Sequence, residues 1–214
     1  MKLLERDNIK LEEVSDYHIY PIADNDTPRL SSDRLEYSLS NALFSYRLLT
    51  IDEIKEIYND IEIQINEDGI EELGFKTKKL ARKFVSVTSK LSIIYREDRT
   101  RYSMQYIADT IKHLEEDGLI TIKDLYELKE QDIINIIEKS KYKEEFNHWR
   151  ESTKVIGSSN KPDNLYYVKV PSKVRYIDPL FNNKRISKEC KIANNMINKN
   201  LSYKMDNYVY LKDK

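Results

Sequence analysis

The stretch Ser31-Ser32-Asp33-Arg34-Leu35-Glu36-Tyr37 begins the most strongly patterned helix in this chain of 214 residues. Beyond Asp33 the apolar side chains recur at helical spacing, at Leu35, Leu39, Ala42, Leu43 and Tyr46. The pattern predicts a helix from about residue 33 to residue 48, capped by Ser31 or Ser32. Asp33 then lies in the first turn, where the positive end of the helix dipole stabilises a carboxylate that could bind a metal. Ordinary capping is the alternative explanation of an aspartate at this position.

Outward from this helix, the sequence predicts further helices and short strands. Thr50 and Glu53 form a capping-box pattern, which predicts a helix to about residue 59. Isoleucines at 61, 63 and 65 alternate with polar residues, which predicts a half-buried strand that returns over 70–75. Strand-like segments follow at 166–170, 173–177 and 208–211, with a helix over 187–198. The expected fold class is mainly α with small antiparallel β elements (α+β), divided into regions 1–60, 61–156 and 157–214.

Composition limits the kind of partner and the compartment. The 36 basic residues are matched by 37 acidic ones, which argues against a nucleic-acid partner held by bulk charge. No apolar run reaches the roughly 18 residues of a membrane span, so we expect no membrane partner. The single cysteine, Cys190, cannot form an internal disulfide and fits a reducing compartment. We therefore expect a cytoplasmic protein.

The segment Ser32-Asp33-Arg34-Leu35-Glu36-Tyr37 resembles the final motif of the HD-domain metal-dependent phosphohydrolases, in which an Asp-Arg-Leu-(Asp/Glu)-Tyr helix supplies the last carboxylate of a metal site. Further segments are similar to an uncharacterised HD-domain subfamily and follow in the expected order: 101–105, 124–126 and 173–180. The upstream His and the adjacent His-Asp pair of the family are missing, because the three histidines precede Ile19, Leu114 and Trp149. The chain thus resembles the C-terminal part of an HD-domain protein, with an HD-like helical remnant at 1–60.

The resemblance makes Asp33 the expected metal ligand. Arg34, beside it, could orient a phosphate through paired donors, or could instead form a surface salt bridge with Glu36 or another acidic neighbour. His18 lies among several aspartates and could shuttle a proton or contact a phosphate. The alternative for His18 is a structural role, in which it fixes the loop before Pro21.

The implied activity is hydrolysis of a phosphate ester or nucleotide. A divalent metal ion would bind only if the missing ligands are supplied, by an upstream HD half or another polypeptide, and we expect the isolated chain to be inactive. Without an upstream half, the stripe formed by Leu35, Leu39 and Leu43 needs another cover. That predicts either a homo-oligomer or packing of this helix against the C-terminal region.

Two other functions remain open on the sequence. One is a non-catalytic protein-interaction or accessory module, in which the Asp33 motif persists as a helix cap. The other is a nucleotide- or nucleic-acid-binding module that uses a C-terminal basic strip, in which Lys184 and Arg185 follow Lys169, Lys173 and Arg175. These three side chains are also explained as the solvent face of a strand.

Overall fold

The computed structural model describes residues 2–212. It is 51% helical, with 11% of the residues in small sheets, so the expected α+β, mainly helical class is confirmed. The chain forms two compact units: unit 1 contains the residues up to Ile93 with Val174–Tyr203, and unit 2 contains Ile94–Lys173 with the residues from Lys204 onward. The division into 1–60, 61–156 and 157–214 stays a prediction. Among residues 2–212, no helix combines the length and apolar character that a membrane crossing requires.

The α-helices are α1 (Lys2–Arg6), α2 (Leu11–Ser15), α3 (Ser32–Ser40), α4 (Ile51–Asn59), α5 (Lys78–Ile94), α6 (Asp98–Glu116), α7 (Asp124–Glu127), α8 (Glu130–Glu138), α9 (Lys143–Glu151), α10 (Ile186–Glu189) and α11 (Lys191–Leu201). The strands are β1 (Ile61–Ile65), β2 (Glu71–Phe75), β3 (Val155–Ser158), β4 (Tyr167–Val168), β5 (Leu180–Phe181), β6 (Lys184–Arg185) and β7 (Tyr208–Leu211).

The caps that begin α3 and α4 are those the sequence predicts. Ser31 Oγ accepts a hydrogen bond from the Arg34 backbone N–H at 3.2 Å. At α4, Thr50 Oγ1 accepts from the Glu53 N–H while the Glu53 carboxylate accepts from the Thr50 N–H, which is the reciprocal capping box. The α-helix that was expected over 33–48 stops at Ser40 and continues as a π-helical turn over Asn41–Ser45.

The sheet of unit 1 has the strand order β1-β2-β5-β6, with antiparallel pairs at both ends and a parallel β2–β5 pair in the middle. The isoleucine alternation in β1 predicted the wrong buried face. Ile63 is 58% and Ile65 is 47% exposed, whereas Gln64 is buried. The reason is that the opposite face of the sheet holds a buried network of polar side chains. Gln64 belongs to this face and lies opposite Glu72 in the register of β1 and β2.

The core of unit 1 covers the apolar stripe of α3. Leu35 and Leu39 are buried, and Leu43 is partly buried. Behind the sheet, the rings of Phe75 and Phe84 lie 5.4 Å apart. Unit 1 also includes Val174–Tyr203. Residues from the N-terminal and the C-terminal parts of the chain therefore belong to the unit in which this stripe is buried.

Unit 2 packs α6 to α9 with a second sheet in the order β3-β7-β4. The final strand appears where it was predicted, but residues 173–177 form no strand, so that prediction was wrong. Buried Arg101 joins separate parts of the unit: its guanidinium donates to Asp98 Oδ1 at 2.5 Å, to the Val170 carbonyl at 2.7 Å and to the Met205 carbonyl at 3.2 Å. The apolar core beside it contains Tyr102, Tyr106, Leu114, Ile120, Ile137, Phe146, Val168 and Val209.

Candidate functional site

Asp33 lies where the sequence predicts it, in the first turn of α3. Its backbone N–H donates to the Ala23 carbonyl at 3.1 Å, which ties the start of the helix to the preceding loop. The side chain is exposed, and its carboxylate makes no hydrogen bond or ion pair within residues 2–212. A carboxylate in this position can bind a group from outside the described chain without losing an existing contact.

Arg34 holds the loop that leads into α3. Its guanidinium donates to Asn25 Oδ1 at 2.8 Å and to the Arg29 carbonyl at 2.7 Å, and it also donates to the Asn25 carbonyl. The expected salt bridge with Glu36 is not formed, because the Glu36 carboxylate accepts from Ser40 Oγ at 2.6 Å instead. To bind a phosphate, Arg34 would have to give up bonds to loop oxygens.

The same loop is held from the other side by β2 and by the segment before β5. The Leu30 N–H donates to Glu72 Oε1 at 3.0 Å, and the Pro28 carbonyl accepts from the Asp178 N–H at 2.9 Å. Both Leu30 and Glu72 are fully buried. The loop before Asp33 is therefore fixed by Arg34, which follows it, and by two distant parts of unit 1, β2 and the segment before β5.

A buried ion pair supports these contacts. Arg185 Nη1 and Nη2 donate to the two carboxylate oxygens of Glu72 at 2.6 and 2.8 Å, and Nη1 also donates to the Asp178 carbonyl at 3.0 Å. On its outer side, Arg185 Nε donates to the Glu67 carboxylate at 3.0 Å. Burial alone would lower the pKa of Arg185, but the bonds to Glu72 raise it above its ordinary value. The sequence had grouped Arg185 with the surface basic residues.

His18 pairs with Asp16 on the surface of unit 1. The His18 Nδ1 atom lies 2.8 Å from Asp16 Oδ1, and the His18 backbone N–H donates to the same oxygen at 3.0 Å. This side-chain bond, helped by the backbone bond, lowers the pKa of Asp16. The pairing agrees with a local structural role for His18 in the turn before Pro21.

No metal centre is assembled among residues 2–212: no group of three or more histidine, cysteine, aspartate or glutamate side chains is arranged to hold an ion. The structure therefore does not bring Asp33 and His18 together into such a group.

The basic residues near the C-terminal strands take separate roles. In unit 2, the Lys169 ammonium lies 3.9 Å from the centre of the Tyr208 ring. In unit 1, exposed Lys184 lies 3.7 Å from Glu189, while its neighbour Arg185 is buried. Lys173 and Arg175 are exposed.

Sequence reasoning missed two features. The first is the Glu72–Arg185 pair, whose members lie 113 positions apart and belong to no local pattern. The second is a cavity of about 550 Å³ in unit 2, lined mainly by α6, α8 and α9. The isoleucines of α6 and α8 recur at helical spacing, which indicates an apolar face but not that a space remains beside it.

Comparisons with known proteins identify no relative of this chain. No family model matches the chain, and no similar curated protein or solved structure is found.

Proposed function

We propose that this chain is the C-terminal part of an HD-superfamily metal-dependent phosphohydrolase, in which Asp33 supplies one carboxylate ligand to a divalent metal ion. The observation that carries the proposal is the exposed, unpaired Asp33 carboxylate at the end of a loop fixed by buried polar contacts. A rigid support is what a metal ligand requires, since ligand geometry sets affinity. The resemblance of the motif around Asp33 to the HD-domain pattern supports the choice of family.

The residues present do not fit a metal ion on their own. Divalent ions bound by oxygen and nitrogen ligands need several donors, and Asp33 provides only one side chain. The proposal therefore includes ligands from another polypeptide segment, either an upstream HD half or a further chain. The isolated chain is expected to be inactive, and its substrate in the complete protein is a phosphate ester or a nucleotide.

The residues around Asp33 take positioning roles in this proposal. Arg34 holds the loop through the carbonyls of Asn25 and Arg29, so it fixes where the Asp33 backbone lies. His18, with its imidazole on Asp16, would assist only if the completing polypeptide reaches that surface. We expect the protein to act in the cytoplasm, because Cys190 is its only cysteine.

The alternative is a non-catalytic interaction module, and one observation favours it. Strand β1 is an edge of its sheet and carries the exposed side chains of Ile63 and Ile65. An exposed apolar edge strand is a place where another chain can pair. On this alternative the Asp33 motif serves only as the capped start of α3.

The test is to express this chain with the polypeptide encoded immediately upstream of Met1 and to purify the pair. Metal per complex is measured by elemental analysis, and phosphate release is measured from nucleotides and simple phosphate esters. The proposal predicts stoichiometric metal and hydrolysis for the pair and neither for the chain alone. A pair that associates but contains no metal would support the interaction module instead.

A further inference from the structure

The cavity in unit 2 has the size and lining of a ligand site. Its volume is about 550 Å³, within the range of pockets that hold small organic ligands. The walls are branched aliphatic side chains together with the rings of Phe146 and Trp149. The aliphatic part comes mainly from Ile107, Ile111, Ile133, Ile134 and Leu211.

The serine and threonine hydroxyl groups in the wall already have partners within residues 2–212, and only the hydroxyl of Tyr102, a side chain that is 3% exposed, has none there. Ser103 Oγ accepts from the Trp149 indole N–H at 3.2 Å, and Thr110 Oγ1 donates to the Tyr106 carbonyl at 2.8 Å. A nucleobase or sugar has polar edges that need hydrogen bonds when they are buried. The interior therefore favours an aliphatic group over a nucleobase or a sugar.

Positive charge collects on the exposed part of the lining. Arg99, Arg150 and Lys154 all line the cavity and are exposed, against one lining acid, Glu130. Arg150 lies 3.7 Å from the carboxylate of Glu138. The side chains of Arg99 and Lys154 have no ion-pair or hydrogen-bond partner within residues 2–212. Two unpaired cations beside an apolar cavity are complementary to an anion attached to an apolar chain.

We propose that this cavity binds a single-chain anionic amphiphile, with its aliphatic chain against the isoleucines and its carboxylate or phosphate head at Arg99 and Lys154. The proposal stands on unit 2 alone and does not depend on the role of Asp33. The ligand is thus a free fatty acid or a similar single-chain anion, and the experiment separates it from a two-chain lipid held in a membrane.

Trp149 supplies the readout, because it is the only tryptophan in the chain and its ring lines the cavity. The full chain is titrated with octanoate, decanoate and dodecanoate below their micelle concentrations, and fluorescence is followed. Each added methylene should tighten binding by about fourfold until the cavity is full. Dodecanol and dodecyltrimethylammonium, which lack the negative head, should bind more weakly than dodecanoate.

Variants test the head-group site without disturbing the core. The double variant Arg99→Gln/Lys154→Gln changes exposed residues only, and it should weaken dodecanoate binding by about threefold to tenfold while leaving dodecanol binding unchanged. Lys112→Gln is the matched control, since Lys112 is an exposed lysine of α6 that does not line the cavity. It should bind dodecanoate like the wild type.

Four outcomes overturn the proposal. They are binding that does not depend on chain length, equal binding of dodecanoate and the trimethylammonium compound, an unchanged affinity in the double variant, and a response to anionic phospholipid vesicles without any response to free dodecanoate. A response to dodecanoate without one to vesicles identifies the free acid as the source of the ligand.

Discussion

The guanidinium of Arg185 and the carboxylate of Glu72 meet in two parallel hydrogen bonds of 2.6 and 2.8 Å inside unit 1. Glu72 is completely buried, and its Oε1 atom also accepts the Leu30 N–H. The pair thus links β6 to β2, and through Glu72 it reaches the loop that leads to Asp33. We expect both the stability of unit 1 and the geometry of the Asp33 motif to depend on it.

Replacing Arg185 alone should be strongly destabilising. Arg185→Met leaves the Glu72 carboxylate buried without its main partner, and the free energy of unfolding should fall by about 3–5 kcal/mol. Urea denaturation followed by far-ultraviolet circular dichroism measures the change. Lys184→Met, at the exposed neighbouring residue, should cost much less. The double variant Glu72→Leu/Arg185→Met should lose less than the sum of the two single losses, and strict additivity would contradict the pairing.

We expect Arg34 to stabilise the protein through its hydrogen bonds to the loop and not through its charge alone. Arg34→Met removes three hydrogen bonds to the loop and leaves partly buried oxygens without these donors, so we expect a loss of about 1–3 kcal/mol and faster proteolysis near residues 25–30. Limited proteolysis with mass spectrometry locates the cuts. Arg82→Met, an exposed arginine of α5, is the control. Equal cutting rates in the two variants would mean that Arg34 does not hold the loop.

Three tyrosines should make unit 2 sensitive to alkali. Burial raises the pKa of Tyr102, Tyr106 and Tyr166, and the bond that Tyr166 donates to Asp109 adds to this. Because the unfolded chain then releases these protons first, their contribution to stability is complete below the unfolded pKa of about 10 and is lost as pH rises above it. Urea midpoints measured across this range should fall above about pH 10.

A substitution isolates this effect. Tyr166→Phe removes one of the three groups, so its urea midpoint should decline less steeply with pH than that of the wild type. Tyr126→Phe, at a tyrosine that is 87% exposed, should keep the wild-type slope. If Tyr166→Phe and the wild type decline in parallel, Tyr166 does not contribute to the alkaline loss.

The sequence predicted elements whose signals are local. The capping box of Thr50 and Glu53, the turn before β2 and the last strand depend on neighbouring residues, and each formed where it was expected. The prediction of a strand over 173–177 was wrong, because an alternating pattern does not show whether a neighbouring strand is available for pairing. The ladders of unit 2 form instead between Val155–Ser158, Tyr167–Val168 and Tyr208–Leu211.

The candidate site was predicted in part, for a similar reason. The position of Asp33 follows from the Ser31 cap and the apolar stripe of α3, both of which are local. The role of Arg34 depends on how the loop folds back. The buried side chain of β1, Gln64, accepts a hydrogen bond from the Asn183 N–H, which lies over a hundred residues away. Alternation alone could not show that the polar face of this strand points inward.

The metal content of the complex with the upstream-encoded polypeptide tests the central claim, that Asp33 is a metal ligand, most directly. Asp33→Asn and Asp52→Asn form a matched pair, because both aspartates are exposed at the second position of a capped helix. Each change should lower the free energy of unfolding by at most about 1 kcal/mol. The account predicts stoichiometric metal in the wild type and in Asp52→Asn, and its loss in Asp33→Asn. Full metal occupancy in Asp33→Asn would contradict the account and leave Asp33 only as an acidic residue in the first turn of α3.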